Sequence, residues 1–182
     1  MTLVLGYGRT DRHTAILDTL SYLPAAADAW LIEADGECRI VLIGSSALAD
    51  PATAEAAGLS WLVPPLPLVQ IGLEPVGAAG FGRVVSGRYR EGTAFDAIAV
   101  SRSLLRPVSE RPGFRGTLVA VDVESGSTFS LSLWEDEASS ARNVDDGWFH
   151  AQVAKFSDFY LSPPEVFAGA VFNGAFHNGR VS

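Results

Sequence analysis

Residues 112–126 read PGFRGTLVAVDVESG, and the alternating stretch Ser127–Leu133 follows them and ends at Trp134-Glu135. This segment contains one apolar run, a tight turn with an acidic residue and a glycine, and a second apolar run. That order is typical of a β-hairpin. Residues 29–44 read AWLIEADGECRIVLIG and repeat the same features around Asp35-Gly36. We infer that the chain contains two units of similar organisation, each built around such a hairpin.

Helical patterns flank both hairpins. In the first unit, apolar spacing and a capping residue predict a helix from Thr10 or Asp11 to Leu23. A short helix rich in alanine is also predicted within 45–61. In the second unit, one helix starts at Thr93 with Phe95, Ile98, Arg102 and Leu105 on one side, and another covers about 137–160 with Gly147 as a candidate break.

A first and a last strand complete each unit. The predicted first strands are Thr2–Tyr7 and Phe81–Tyr89, and the closing strands, each after a double proline, are Leu68–Leu73 and Val166–Phe172. The resulting βαββαβ order is ferredoxin-like. Packing two such sheets face to face would bury both of them. The expected fold class is α+β, with two ferredoxin-like units packed sheet to sheet as an intrachain dimeric α+β barrel.

The unit boundaries follow from small and polar residues. We expect a first, diverged unit at 1–76, a linker at 77–80 that contains Gly77-Ala78-Ala79-Gly80, a second unit at 81–174, and a polar, frayed tail at 175–182.

Composition excludes several classes of function. The net charge of −8 argues against binding to nucleic acid, which requires a basic face. No apolar stretch reaches the length of a membrane span, and none resembles a secretory signal, so we expect a cytoplasmic protein. Cys38 is the single cysteine, which excludes an intramolecular disulfide, and we expect it to be a buried, inert thiol.

The second unit resembles a known family. At Pro112-Gly113-Phe114-Arg115-Gly116, at the Glu124-Ser125-Gly126 turn and at Ser132-Leu133-Trp134-Glu135, it is similar to the antibiotic biosynthesis monooxygenase-like proteins over about 81–172. Over 1–76 only the order of elements is similar. The resemblance implies a dimeric α+β barrel with a pocket between sheet and helices of one unit. It also implies a range of activities, from cofactor-free oxidation of polycyclic aromatic phenols to haem degradation.

Three residues are candidates for catalysis. His150 titrates near neutral pH and lies on a helix expected to line the pocket, so it is a candidate base or proton shuttle; the alternative is a solvent-facing histidine. Tyr89 and Arg88 lie near the end of the first strand of the second unit and are candidates for stabilising an enolate or phenolate oxygen. Exposed polar residues at a strand end would look the same.

Three further residues are candidates for substrate binding. Cofactor-free oxidases of the similar family surround their substrate with Asn, Trp, Tyr and Arg, which the resemblance carries to Asn143 and Trp148 as ring-orienting residues. Trp134 either lines the pocket or belongs to the core.

These residues support three hypotheses of function. The first is a cofactor-independent monooxygenase-like protein acting on a small apolar aromatic molecule, with no cofactor and no metal. The second is a non-catalytic module of the same fold that binds a small ligand or serves in assembly. The third is haem binding, although the first strand of the second unit lacks the Asn of the haem-degrading branch. A homodimer of such pseudo-dimers is left open.

Overall fold

The computed structural model describes residues 3–9, 26–45, 60–67, 71–73, 79–177 and 180–181, together with residues 50 and 52. These residues form ten strands and three helices. In chain order they are β1 Leu3–Arg9, β2 Ala26–Ala34, β3 Glu37–Ser45, β4 Ser60–Pro67, β5 Ile71–Leu73, β6 Phe81–Arg88, α1 Ala94–Ser109, β7 Phe114–Val121, β8 Ser127–Trp134, α2 Glu137–Asp145, α3 Trp148–Ala154, β9 Glu165–His177 and β10 Arg180–Val181.

All ten strands belong to one antiparallel sheet. Its order is β4-β1-β3-β2-β9-β6-β8-β7-β5, with β10 paired to β9. The four strands β1 to β4 follow the ferredoxin-like order, fourth-first-third-second, and β6, β7, β8 and β9 repeat it. Strand β9 joins the two sets, because Glu165–Ala170 pairs with β6 and Ala170–Ala175 pairs with β2. The fold is therefore α+β and ferredoxin-like.

The two ends of this sheet lie close together. Strands β4 and β5 occupy opposite ends of the strand order, yet only residues 68–70 separate them in the chain. Four Cα–Cα steps span at most roughly 15 Å. The sheet must therefore curl until its two ends approach each other.

One core fills the inside of this curl. It combines Tyr7, Ile32 and Val41 from the first half of the chain with Phe129 and Leu131 from the second, all of them fully buried. The rings of Tyr7 and Phe129 stack with centroids 5.9 Å apart. Burial of apolar area stabilises a fold in proportion to that area, so each half depends on the other for its interior.

Both predicted hairpins are confirmed. Strands β2 and β3 pair around Asp35 (φ 52°) and Gly36 (φ 77°), the two left-handed residues of a turn that matches the strand twist. Strands β7 and β8 pair in the same way, with Gly126 at φ 73°. A side chain at Gly126 would approach the carbonyl oxygen of Tyr89 to 2.6 Å, so the turn requires glycine there for two reasons.

Two closing strands differ from expectation. The closing strand predicted at Leu68–Leu73 is present at Ile71–Leu73 as β5. A further strand, β4, precedes it and includes Pro64-Pro65, which was not predicted. It lies at the end of the strand order, where a missing N–H is tolerated, and its pairing with β1 shifts register at this point. The start of the tail predicted to fray instead continues β9 to His177, because Ala175 pairs with Asp28 of β2, and Phe176 and His177 pair with β10.

The helices also differ in part. The helix predicted from 137 to 160 is two helices, because Gly147 adopts a left-handed conformation (φ 78°) and begins α3. Phe95, predicted on the same side of α1 as Ile98, is 69% exposed, whereas Ile98 is buried. The helix predicted at 10–23 lies outside the described residues, as does most of the one at 45–61. Among the described residues, no helix is long and apolar enough to cross a membrane.

Candidate functional site

A cavity of about 150 Å³ lies between the sheet and the helices of the second half. Strands β6, β7 and β8 form its floor, and α1, α3 and the turns after α3 form its roof. Apolar and aromatic side chains supply most of its wall, which is the usual character of a small-molecule site. The floor includes Arg83, Val85, Thr117, Val119, Thr128, Ser130, Ser132 and Trp134; the roof includes Leu104, Leu105, Val108, Trp148, Phe149, Val153 and Phe156.

Strand alternation decides which residues face this cavity. Side chains of successive strand residues point to opposite faces. In β8, Ser130 and Ser132 face the cavity, while Phe129 and Leu131 enter the core on the other face. One face of β8 thus lines the cavity and the other packs into the core, so the predicted alternation in β8 is confirmed.

The two tryptophans are held by specific contacts. Trp134 is 2% exposed, donates its indole N–H to Ser132 Oγ at 3.2 Å, and packs edge-on against Phe114 at 5.4 Å. Trp148 is half-buried, and its backbone N–H is accepted by Asp146 Oδ1 at 2.9 Å. One tryptophan therefore lies on the floor and the other on the roof.

A guanidinium also fixes Trp148. Arg111 lies 5.4 Å from the Trp148 ring, forms an ion pair with Asp146, and donates from Nε to Asn143 Oδ1 at 2.6 Å. The backbone N–H of Trp148 and the side chain of Arg111 lower the pKa of Asp146. This carboxylate is therefore ionised at neutral pH and accepts the backbone N–H of Trp148 at the start of α3.

Arg83 carries the only full charge among the described lining residues. It lies on β6, is 6% exposed, and donates from Nη2 to Ser140 Oγ at 2.6 Å. Its guanidinium lies 4.4 Å from the ring centroid of Phe149. Burial lowers the pKa of Arg83, but a guanidinium titrates so far above neutral pH that it keeps its charge.

Two tyrosines line one end of the cavity. The rings of Tyr89 and Tyr160 lie 5.0 Å apart. Burial raises the pKa of both phenols, and at Tyr160 the neighbouring Tyr89 raises it further. Both hydroxyls are therefore neutral at physiological pH, where they serve as hydrogen-bonding groups and not as bases.

The structure brings three of the six predicted site residues to the cavity. Tyr89, Trp134 and Trp148 line it. Arg88 lies on the opposite face of the strand from Tyr89 and is exposed. It donates from Nε to the carbonyl oxygen of Ser125 at 2.7 Å. Strand parity thus separates Arg88 from its neighbour Tyr89 in the sequence.

The other two predicted residues lie away from the cavity wall. His150 is exposed on α3, with its ring edge-on to Phe149 at 5.7 Å. Asn143 is buried, but its amide is used locally: Nδ2 donates to the carbonyl oxygen of Ser139 at 2.7 Å, and Oδ1 accepts from Arg111. Asn143 thus supports Trp148 through Arg111.

Arg83 was not among the predicted residues. The signal that identifies it is strand alternation, because Arg83 and Val85 of β6 and Tyr89, which directly follows β6, all face the cavity from odd-numbered positions. Among the described residues, no cluster of three or more His, Cys, Asp or Glu side chains is arranged to hold a metal ion.

Comparisons with known proteins establish the fold. No protein-family model matches the chain, and no curated protein matches it by sequence. A ferredoxin-fold protein related to antibiotic biosynthesis monooxygenases, from Listeria monocytogenes, is 9% identical, with 93% of this chain and 94% of that one covered at a TM-score of 0.65.

Two further solved structures are similar. The heme-degrading enzyme of Listeria monocytogenes is 11% identical, with 93% of this chain and 99% of that one covered at a TM-score of 0.61. An anthrone oxidase-like protein is 12% identical, with 93% of this chain and 90% of that one covered at a TM-score of 0.59. The chain therefore shares the ferredoxin-like fold of antibiotic-biosynthesis-monooxygenase-like proteins. At these identities the likeness concerns the fold alone.

Proposed function

We propose that this protein binds a small, mainly apolar aromatic molecule in the cavity between β6–β8 and the helices α1 and α3. The observation that carries this proposal is the pair of tryptophans that face the cavity from floor and roof, Trp134 and Trp148. Aromatic walls favour a planar apolar ligand, since stacked or edge-on rings add to the gain from area burial. The neutral hydroxyls of Tyr89 and Tyr160 would supply hydrogen bonds at one end.

Calorimetric titration with small neutral aromatics such as benzyl alcohol and indole tests this proposal. We expect binding to the wild-type protein and weaker binding to Trp148→Ala, which removes part of the roof. Phe95→Ala is the matched control, because Phe95 is an exposed aromatic residue of α1. The Phe95→Ala variant should bind these aromatics with the same affinity as the wild-type protein. Failure of all such aromatics to bind the wild-type protein would contradict the proposal.

A second candidate function is cofactor-independent oxygenation of the bound aromatic molecule. The observation that favours it is Arg83, a buried cation at the cavity wall that would stabilise an anionic substrate. The similar structures that bear monooxygenase and oxidase names support it at the level of fold. In such a reaction an ionised phenol or enol reacts directly with O₂.

The cavity itself limits this second candidate. Among the described lining residues there is no histidine and no carboxylate, and His150 lies outside. An oxygenase of this kind would therefore take substrates that are already ionised. Oxygen consumption in the presence of a bound phenol, reduced in Arg83→Met and unchanged in His150→Ala, would support the reaction.

Haem is not a good fit to this cavity. A volume of about 150 Å³ is on the scale that holds one benzene ring, far below that of a tetrapyrrole. The described lining contains no His, Cys or Met to bind the iron, and both tyrosines are neutral. We expect haemin titration to produce no shifted Soret band.

We also propose that the chain is an intrachain pseudo-dimer of two ferredoxin-like units. The repeated strand order supports this, as does the exchange of strands: β9 reaches from the second set to β2, and β5 follows β4 to reach β7. The described cavity is lined by residues of the second set. A cytoplasmic location and a further pairing of two chains remain proposals; size-exclusion chromatography with light scattering tests the latter.

A further inference from the structure

We infer that the cavity recognises a monocyclic aromatic anion whose acidic oxygen binds the Arg83 guanidinium. This inference rests on the proposed ligand-binding function and adds the charge and the size of the ligand. The ligand class is a benzoate-like carboxylate or a phenolate of one ring, placed between Trp134, Trp148 and Phe149.

The first argument is that every described partner of Arg83 is neutral. Nη2 donates to Ser140 Oγ at 2.6 Å and to the Ser140 carbonyl oxygen at 3.3 Å, and the guanidinium lies over the Phe149 ring. Neither Nε nor Nη1 has a described hydrogen-bond acceptor. A guanidinium presents its donors in a planar fork that matches two carboxylate oxygens, so donors remain for such a ligand.

The second argument compares Arg83 with the other described arginines that are not exposed. Each of these has a carboxylate within 4 Å: Arg39 pairs with Glu37, Arg111 with Asp146 and Arg115 with Glu135. No described carboxylate pairs with Arg83 in this way. A buried charge without a counter-charge is costly, and an anionic ligand would offset that cost.

The third argument is the size of the cavity. A cavity of about 150 Å³ is comparable to an engineered protein cavity that binds benzene. One ring fills such a space, and a tricyclic molecule would have to protrude from it. The lining also lacks a described carboxylate, so a ligand with positive charge would find no counter-charge there and would be repelled by Arg83.

Calorimetric titration of the wild-type protein with four matched ligands tests charge and size separately. Benzoate, benzyl alcohol and benzylammonium share one ring and differ in charge, and anthracene-9-carboxylate keeps the charge on three rings. A charge-assisted bond should make benzoate bind about tenfold to a hundredfold more tightly than benzyl alcohol. Benzylammonium should not bind, and anthracene-9-carboxylate should bind more weakly than benzoate.

Two variants assign the preference to Arg83. Arg83→Met should remove the advantage of benzoate and leave the affinity for benzyl alcohol unchanged, and Arg83→Lys should retain part of it. Arg102→Met is the matched control, because Arg102 is an exposed arginine of α1 and its loss changes the net charge equally. The ligand series on the wild-type protein decides the question even where Arg83→Met does not fold.

The outcomes separate the two proposals. Equal affinities for benzoate and benzyl alcohol would overturn the assignment of an anion and leave the binding function standing. Tighter binding of anthracene-9-carboxylate than of benzoate would overturn the assignment of one ring. Absence of binding by all four ligands would contradict both this inference and the proposed function.

Discussion

Arg83 on the central strand β6 and Ser140 on helix α2 are joined by a hydrogen bond of 2.6 Å, and both residues are buried. The bond ties the helix layer to the sheet at the edge of the cavity. It also fixes the direction of the one charged side chain in the described lining.

Removal of this hydroxyl should destabilise the protein. In Ser140→Ala a buried charged donor loses its nearest acceptor, at a cost of about 1–3 kcal/mol in the free energy of unfolding. Urea denaturation measures the change. Ser103→Ala is the control, because Ser103 is exposed on α1, and its effect should stay within about 0.5 kcal/mol. Equal stabilities of the two variants would contradict a structural role for the Arg83–Ser140 bond.

The left-handed backbone at Gly147 should be required for the position of Trp148. Gly147 and Gly92 share φ 78°, and a Cβ at either residue would meet no other atom within 4 Å. Both alanine variants should therefore lose about 1–2 kcal/mol of stability from backbone strain alone. Only Gly147→Ala should also weaken binding of an aromatic ligand, measured by calorimetry, because Trp148 follows it directly. A similar loss of affinity in Gly92→Ala would exclude this explanation.

The contact between β2 and β9 should depend on Gly169. A Cβ at this residue would collide with the carbonyl oxygen of Glu33, which is backbone and cannot move aside easily. We expect Gly169→Ala to cost about 1–3 kcal/mol by overpacking. Ala170→Ser changes an exposed residue of the same strand and should be nearly neutral. Thermal unfolding of both variants checks the prediction, and a neutral Gly169→Ala would contradict the close approach of the two strands.

The two halves of the sheet should open together. Val41 and Ile43 lie in the first half, Leu131 and Leu133 in the second, and all four belong to one core in which the rings of Tyr7 and Phe129 stack. Native-state hydrogen exchange should therefore give the same opening free energy for these four amides. Exchange of the first pair through a much less costly opening would show that the first half unfolds alone.

Stability should fall at alkaline pH, in part because of Cys38. Burial raises the pKa of this thiol from 9.0 to about 11, so the unfolded chain loses its proton at a lower pH than the folded one. The protonated Cys38 thiol makes its full contribution to the free energy of unfolding below pH 9, and this contribution is lost as the pH rises from about 9 to 11. Urea midpoints across this range should fall less in Cys38→Ala than in wild type. Parallel curves would contradict the burial of the thiol as the cause.

Local patterns were sufficient to predict both hairpins, the second-half helix that starts at Thr93, and the two faces of β8. They also indicated the break at Gly147 as a candidate. These features depend on residues close in sequence: a turn needs a left-handed residue such as Gly36, and alternation assigns Phe129 and Ser130 to opposite faces. Within the candidate site, the end of a strand indicated Tyr89 and alternation indicated Trp134, whereas Trp148 came from the family resemblance.

Tertiary structure alone decided the remaining features. The pairing of Ala175 with Asp28 brings the start of the predicted tail into β9, since a distant strand supplies the hydrogen-bond partners. The choice of Arg83 over Arg88 required knowledge of which sheet face the helices cover. The exposure of His150 required the rotation of α3 about its axis. The sequence by itself determined both hairpins, the helix that starts at Thr93 and the two faces of β8, whereas contacts between distant residues decided which face became core and which became cavity.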